Sequence, residues 1–377
     1  MTTLARILLI LLLWAMETYG QSNLEFSGQA SAFGNYSPDS ELNMSLGARY
    51  IPQLEYKIPL DSLHALTFMV SVNIYGSTSF SPFYKNTVEG DFDPYRIWAR
   101  YSGERYEIRL GLQKMDFGSA TLLRPLQWFN QIDPRDPLGL TNGVYGALGR
   151  YYFPNNANIW IWGLYGNEKP RGYDAVGTYK KDVEVGGRFQ YPVPKGELAI
   201  SYHHRTADAT NILNEPSLEN IPEDRIGLDG KWDVTVGLWF ETSYIHKHVD
   251  LGSLTNQTLI TLGTDYTFGI GNGLNVVLEH MITSFNRESV KFSNNTNITA
   301  INISYPMGLS DNLSMLPYYD WEGNNFSFFL NYQHQFKKLT GYVMAYYNPD
   351  SQTVVQENEL VNVAAGPGFR LMLVYNH

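Results

Sequence analysis

The 377-residue chain contains no cysteine. No disulfide staples it and no thiolate chemistry is open to it. Beyond the first twenty residues it lacks any stretch of 18 apolar residues, which excludes a helical membrane protein. Charge is sparse, at 17% Asp, Glu, Lys and Arg, and the balance is −10, which argues against nucleic acid as a partner. No composition shift, proline-rich linker or charge block divides the chain, so its length implies one domain rather than two.

What is present points elsewhere. Arg6, the apolar run Ile7 to Ala15 and the small residues Thr18 and Gly20 before Gln21 have the form of a secretory signal, and residues 1–20 are expected to be removed on export. Residues 21–377 then carry short segments of period two. Leu66, Phe68, Val70, Val72 and Ile74 share one face opposite Thr67, Ser71 and Asn73. Tyr106, Ile108, Leu110 and Leu112 alternate with Glu107, Arg109, Gly111 and Gln113. The final run Phe369, Leu371, Leu373 and Tyr375 alternates with Arg370, Met372, Val374 and Asn376. Such segments form a sheet that is apolar on one face and wet on the other.

Connections also alternate in length. Short ones fall at 60–62, 102–105, 194–196, 271–273 and 337–338, and long ones at roughly 76–93, 118–142, 167–181, 207–223 and 348–363. With 27 Tyr concentrated at strand ends, this reads as an all-β transmembrane antiparallel barrel in the outer membrane of a Gram-negative cell. About 18 strands are expected, with 16 as the lower bound. Pro317 interrupts one candidate, and Ile159 to Leu164 is apolar on both faces.

No catalytic constellation emerges. His203 and His204 are adjacent and point to opposite faces, while His246 and His248 share a face without a third ligand in view. "GIGNG" (269–273) is followed by no helix and reads as a strand turn. The chain is expected not to be an enzyme and to carry no cofactor or metal.

The wet faces carry a row of arginines, Arg49, Arg96, Arg100, Arg109, Arg150, Arg188, Arg205 and Arg370, several on consecutive strands from about the fourth to the ninth. Inward acids are Glu107, Glu184, Asp229, Glu241, Asp265 and Glu279. Guanidiniums cannot face lipid and must meet water or carboxylates. Two roles follow: a wall that orders passing solutes, or bidentate clamps on a folded-in loop. Loop 118–142 is the natural partner. Leu122, Leu123, Leu126, Trp128 and Phe129 are too apolar for a solvated loop, and Pro125, Pro134 and Pro137 stiffen it. Asp133 and Asp136, three apart, would face the same way on a single turn, with Arg124 and Arg135 beside them. The loop is expected to fold inward as a constriction.

"IRLGLQKMDFG" followed by "DPRDP" resembles the strand-plus-turn signature of porin-superfamily outer-membrane channels, notably the alginate-export-like barrels. The matching positions are Gly111, Gln113, Phe117, Gly118, Asp133, Pro134, Arg135 and Asp136. Leu112 stands where that signature has Arg, Phe117 where it has Trp, and His377 where a terminal aromatic is usual. The resemblance implies an outer-membrane channel, and a barrel of 16–18 strands leaves an aqueous lumen, so a passive channel for small hydrophilic solutes in contact with outer-membrane lipid is expected. The alternative is a barrel closed by its own loops, acting as a subunit of a surface-polymer export or secretion assembly. Trp160 and Trp162 on an inner face favour that alternative. A homo-oligomer or an assembly partner fits either reading.

Overall fold

The computed structural model describes residues 23–81, 86–213, 215, 218–293, 295–349 and 366–377, so the signal segment and most of loop 348–363 lie outside the described residues. The strands are β1 (Leu24–Tyr36), β2 (Met44–Pro59), β3 (Ala65–Phe80), β4 (Asn86–Ser102), β5 (Tyr106–Gln113), β6 (Val144–Tyr152) and β7 (Asn158–Leu164). A two-residue piece, β8 (Gly177–Thr178), precedes β9 (Glu184–Val193), β10 (Gly196–Asp208), β11 (Ile221–Asp233), β12 (Gly237–Lys247) and β13 (Asn256–Phe268). The chain ends with β14 (Leu274–Asn286), β15 (Asn295–Pro306), β16 (Asp311–Asp320), β17 (Asn325–Gln335), β18 (Leu339–Asn348) and β19 (Gly366–Asn376). Each strand pairs antiparallel with the next, β7 passes directly to β9, and β1 closes on β19 from Gln29↔Asn376 to Tyr36↔Phe369. The short β8 only extends the edge of β10. The result is a closed barrel of 18 strands, as the periodicity implies.

Closure follows from the side-chain pattern. Leu110, Ile161, Ile200, Leu228, Leu262 and Leu371 stand exposed on the outer wall. Tyr56, Tyr151, Tyr191 and Tyr266 ring that apolar band at one end, and Tyr36, Tyr145, Tyr202 and Tyr347 at the other. Apolar side chains facing outward between two aromatic girdles suit a lipid bilayer, and a closed ladder leaves no unpaired backbone within it. Both described termini and the short turns, such as 60–64, 103–105 and 194–195, share one end of the barrel.

Three sequence details find physical causes. Pro317 lies in β16 and pairs with Phe328 of β17, while the ladder to β15 skips between Ala300↔Tyr318 and Ile303↔Met315. A residue without an N–H interrupts only the side it would have served. The loop expected at 76–93 is mostly hairpin, since β3 runs to Phe80 and β4 starts at Asn86. The inner wall is not uniformly wet. From β13 to β19 it carries Leu259, Met281, Ile298, Leu316, Phe329, Met344 and Val374, all buried.

Candidate functional site: the inner wall and its two folded loops

After Gln113 the chain leaves the wall and returns only at Val144. Two glycines permit the departure. Gly111 has φ 117°, and a Cβ there would stand 2.2 Å from the Ile97 carbonyl oxygen; Gly118 has φ 108°, and its Cβ would stand 2.3 Å from Oε2 of Glu241. The segment then donates hydrogen bonds to inward side chains of three strands. Ser119 Oγ donates to Asp229 of β11 (3.0 Å), and the amides of Ala120 and Leu126 donate to Glu241 of β12 (2.8 and 2.6 Å). Thr121, Leu122 and Leu123 each donate a backbone N–H to Glu279 of β14, at 2.7, 3.0 and 2.6 Å. Trp239 Nε1 completes the shell of Glu279 at 2.9 Å. Prolines and turns leave the segment without a ladder, so buried carboxylates satisfy its amides.

The apolar residues of the segment fill two clusters. Leu122 and Leu123 join the apolar wall of β13–β19. Phe117, Leu126, Trp128 and Phe129 pack with Leu148, Trp162 and Leu164 of β6 and β7. Burying each large side chain contributes about 1.5–3 kcal/mol. The double apolarity of Ile159 to Leu164 is thereby explained: one face meets lipid and the other meets this segment. Gly118→Ala is expected to lower the unfolding temperature, because a positive φ at a non-glycine residue costs about 1–3 kcal/mol and the new methyl displaces Glu241 from its amides. Thermal unfolding in detergent checks this, and an unchanged midpoint would contradict the packing described.

Several charges assigned to the lumen are consumed elsewhere. Asp133 and Asp136 are both taken up by donors of their own loop. Asp133 receives the Arg135 guanidinium (Nε 2.9 Å, Nη2 2.8 Å) and backbone N–H, while Asp136 accepts the amides of Leu138 and Leu140. They are turn-locking groups, because a Pro-rich turn exposes amides that only a side chain can reach. Burial pushes the Asp136 carboxyl up, against those two amide bonds. Arg124 is bound by Asp116 at 2.7 Å. Arg96 is stapled to the Thr141 carbonyl (2.9 Å) and hydroxyl (2.7 Å), which ties β4 to the returning loop. Arg188 is paired bidentately with Asp229 at 2.6 and 2.9 Å.

Segment 165–183 folds inward too, which sequence reasoning missed. Its Asp174 meets Arg205 of β10 (2.9 Å) and Arg225 of β11 (2.8 Å). Glu223 binds the same two arginines at 2.6 and 2.7 Å and Lys247 at 3.4 Å, all with side chains at most 2% exposed. Arg171 pairs with Glu184 at 2.5 Å. Trp162 Nε1, a donor only, points at His203 Nδ1 (3.1 Å), so His203 Nε2 carries the proton and donates to Glu184 (3.1 Å). Of the charged members of this network only Glu184 and Arg205 were named from sequence as inward charges. The overlooked signal is Glu223, Arg225 and Lys247, same-face charges on neighbouring strands at the long-loop end.

What remains on the opposite wall is Arg100 of β4, Arg109 of β5 and Arg150 of β6, grouped about Glu107, Trp98 and Trp160. Arg49 covers Tyr75 and Arg370 covers Phe33 on the strands beside them.

Fold and wall together define a closed 18-strand antiparallel barrel with an outer face suited to lipid and loops folded into its interior. Solved structures agree on the fold. OccAB1 of Acinetobacter baumannii superposes with a TM-score of 0.53 at 10% identity, covering 94% of this chain and 96% of that one. OccK7 (OpdD) of Pseudomonas aeruginosa gives 0.51 at 11% identity, covering 94% and 98%. OmpT of Vibrio cholerae, an outer membrane protein in trimer form, gives 0.51 at 10% identity, covering 94% and 99%. No protein-family model matches the chain. No curated protein matches it either.

Proposed function

We propose that this chain is exported to the outer membrane and forms a porin-like channel for passive diffusion of small hydrophilic solutes, with its passage displaced to one side. In this reading segment 118–142 is the constriction, and the passage runs between it and the wall bearing Arg100, Arg109 and Arg150. The observation that carries the reading is the asymmetry of the inner wall. Its β13–β19 side is apolar and covered, while the β4–β6 side keeps part-exposed guanidiniums, with 15% and 17% of the Arg109 and Arg150 side chains accessible. An 18-strand barrel is wide enough to keep an aqueous lumen beside such a loop. Purified, folded protein in a planar bilayer is expected to give stepwise conductance increments. Folded protein that inserts without steps would sink the proposal.

The second reading, a closed barrel serving an export or secretion assembly, draws on the two inward loops and the apolar cluster at Trp160 and Trp162. Under it the same bilayer stays silent and the barrel is recovered from membranes with other proteins. A homo-oligomer fits the first reading, and cross-linking in membranes would reveal it.

A further inference from the structure

Arg100 and Arg109 are direct cross-strand partners in the β4–β5 ladder. Side chains so placed have Cβ atoms about 5 Å apart, and like charges there are unfavourable. Next along, Arg150 is the cross-strand partner of Glu107. Glu107 is the carboxylate of this group, with Arg150 Nη1 at 3.1 Å and Arg109 Nη2 at 3.6 Å. Among the described residues three positive charges therefore share one negative charge.

The group is rigid. Arg100 and Arg109 both lie over the Trp98 indole, at 5.3 and 4.9 Å, and Arg150 lies over the Trp160 indole at 3.7 Å. Stacking fixes the planes of the guanidiniums and leaves their N–H edges to point elsewhere. The Nε atoms of Arg100, Arg109 and Arg150 are buried without an acceptor among the described residues, and so is Nε1 of Trp160. Arg100 sits two residues before the end of β4 and Arg150 two before the end of β6. The group thus lies roughly 7 Å inside the short-turn mouth at the rise of a strand.

We infer that Arg100, Arg109 and Arg150, with the indole N–H of Trp160, form a binding site for a small divalent oxyanion of the phosphate or sulfate class at the short-turn mouth of the barrel. The surplus of two positive charges matches a dianion. A tetrahedral oxyanion offers acceptors in several directions, as three guanidiniums in separate planes require. A carboxylate such as Glu107 is planar and carries one charge, so it leaves the surplus unanswered. The inference rests on the channel reading only for water access to the inner wall, and not on conduction.

The test is a titration of detergent-solubilised, folded full-length barrel with inorganic phosphate, sulfate and chloride at constant ionic strength, followed by tryptophan fluorescence. Phosphate and sulfate are expected to give a saturable change that chloride does not, and Trp98→Phe and Trp160→Phe should remove most of it. Arg109→Gln or Arg150→Gln should weaken binding about tenfold or more, the usual consequence of losing one charged hydrogen bond. Arg105→Gln, in the exposed turn, should leave it unchanged, and near-ultraviolet dichroism confirms folding of each variant. The absence of saturation with folded wild-type protein, or equal competition by chloride, would overturn the site while leaving conductance untouched. Saturable binding in a barrel that never conducts would overturn the channel reading and leave the site.

Discussion

Glu279→Ala is expected to free residues 119–126 from the inner wall and to raise single-channel conductance severalfold, while the 18-strand wall stays folded. Glu279 is fully buried and accepts three backbone amides, the Thr121 hydroxyl at 3.1 Å and the Trp239 indole. A buried amide left without an acceptor costs about 1–3 kcal/mol, so losing three at once exceeds what the local contacts of Leu122 and Leu123 restore. The segment then detaches because water satisfies its amides more cheaply than an alanine-lined wall. Glu279→Gln should be milder, since the amide oxygen still accepts while its NH2 opposes the remaining donors. Single-channel recording reads the conductance, and hydrogen exchange at Thr121, Leu122 and Leu123 reads the detachment. Unchanged exchange in Glu279→Ala would show that the apolar anchors alone hold the segment.

Glu223→Gln should have the largest effect on stability. The carboxylate is fully buried and faces Arg205, Arg225 and Lys247. Its removal leaves Asp174 alone against three buried cations, and breaking a buried ion pair from one side costs about 3–5 kcal/mol. The expected result is a markedly lower denaturant midpoint, with segment 165–183 losing protection first because Asp174 is its ionic link to β10 and β11, beside the short β8 pairing. Replacing Lys247 with Met in addition should recover part of the loss by removing one uncompensated charge. A midpoint within experimental error of wild type would mean that water, rather than Glu223, neutralises the cluster.

The wall was legible because one face of each strand meets lipid, a solvent that tolerates no polar side chain. Leu66 to Ile74 and Phe369 to Tyr375 therefore carry an apolar residue at every second position, and Phe68, Val70, Ile74, Phe369, Leu371 and Leu373 among them stand exposed. The inner face obeys no single solvent. Leu259, Met281 and Met344 point inward yet are apolar, because a segment more than a hundred residues away in sequence covers that wall. Periodicity identifies a face and is silent about what covers it. The same limit explains the arginines. Arg100, Arg109 and Arg150 share a strand face and a pattern with Arg188 and Arg205, but the latter two are neutralised by Asp229, Asp174 and Glu223. Asp133 and Asp136 misled for a local reason: they bracket a hydrogen-bonded turn with Pro134 at its second position, the Asp136 N–H donating to the Asp133 carbonyl at 3.0 Å, and each carboxylate is taken up by neighbouring donors of the loop itself. Gly118 was the best available pointer, since a glycine after an alternating strand marks a close backbone approach, here to Glu241.

The central claim is a passage bounded by the three arginines. The direct measurement is the zero-current potential of the reconstituted barrel in a potassium chloride gradient, for wild type and for the combined Arg100→Gln, Arg109→Gln and Arg150→Gln variant. The wild-type potential is expected to take the sign given by chloride preference and to shift toward cations in the variant, with stepwise conductance retained. The same potential in both proteins would place the conducting path away from this wall and contradict the account.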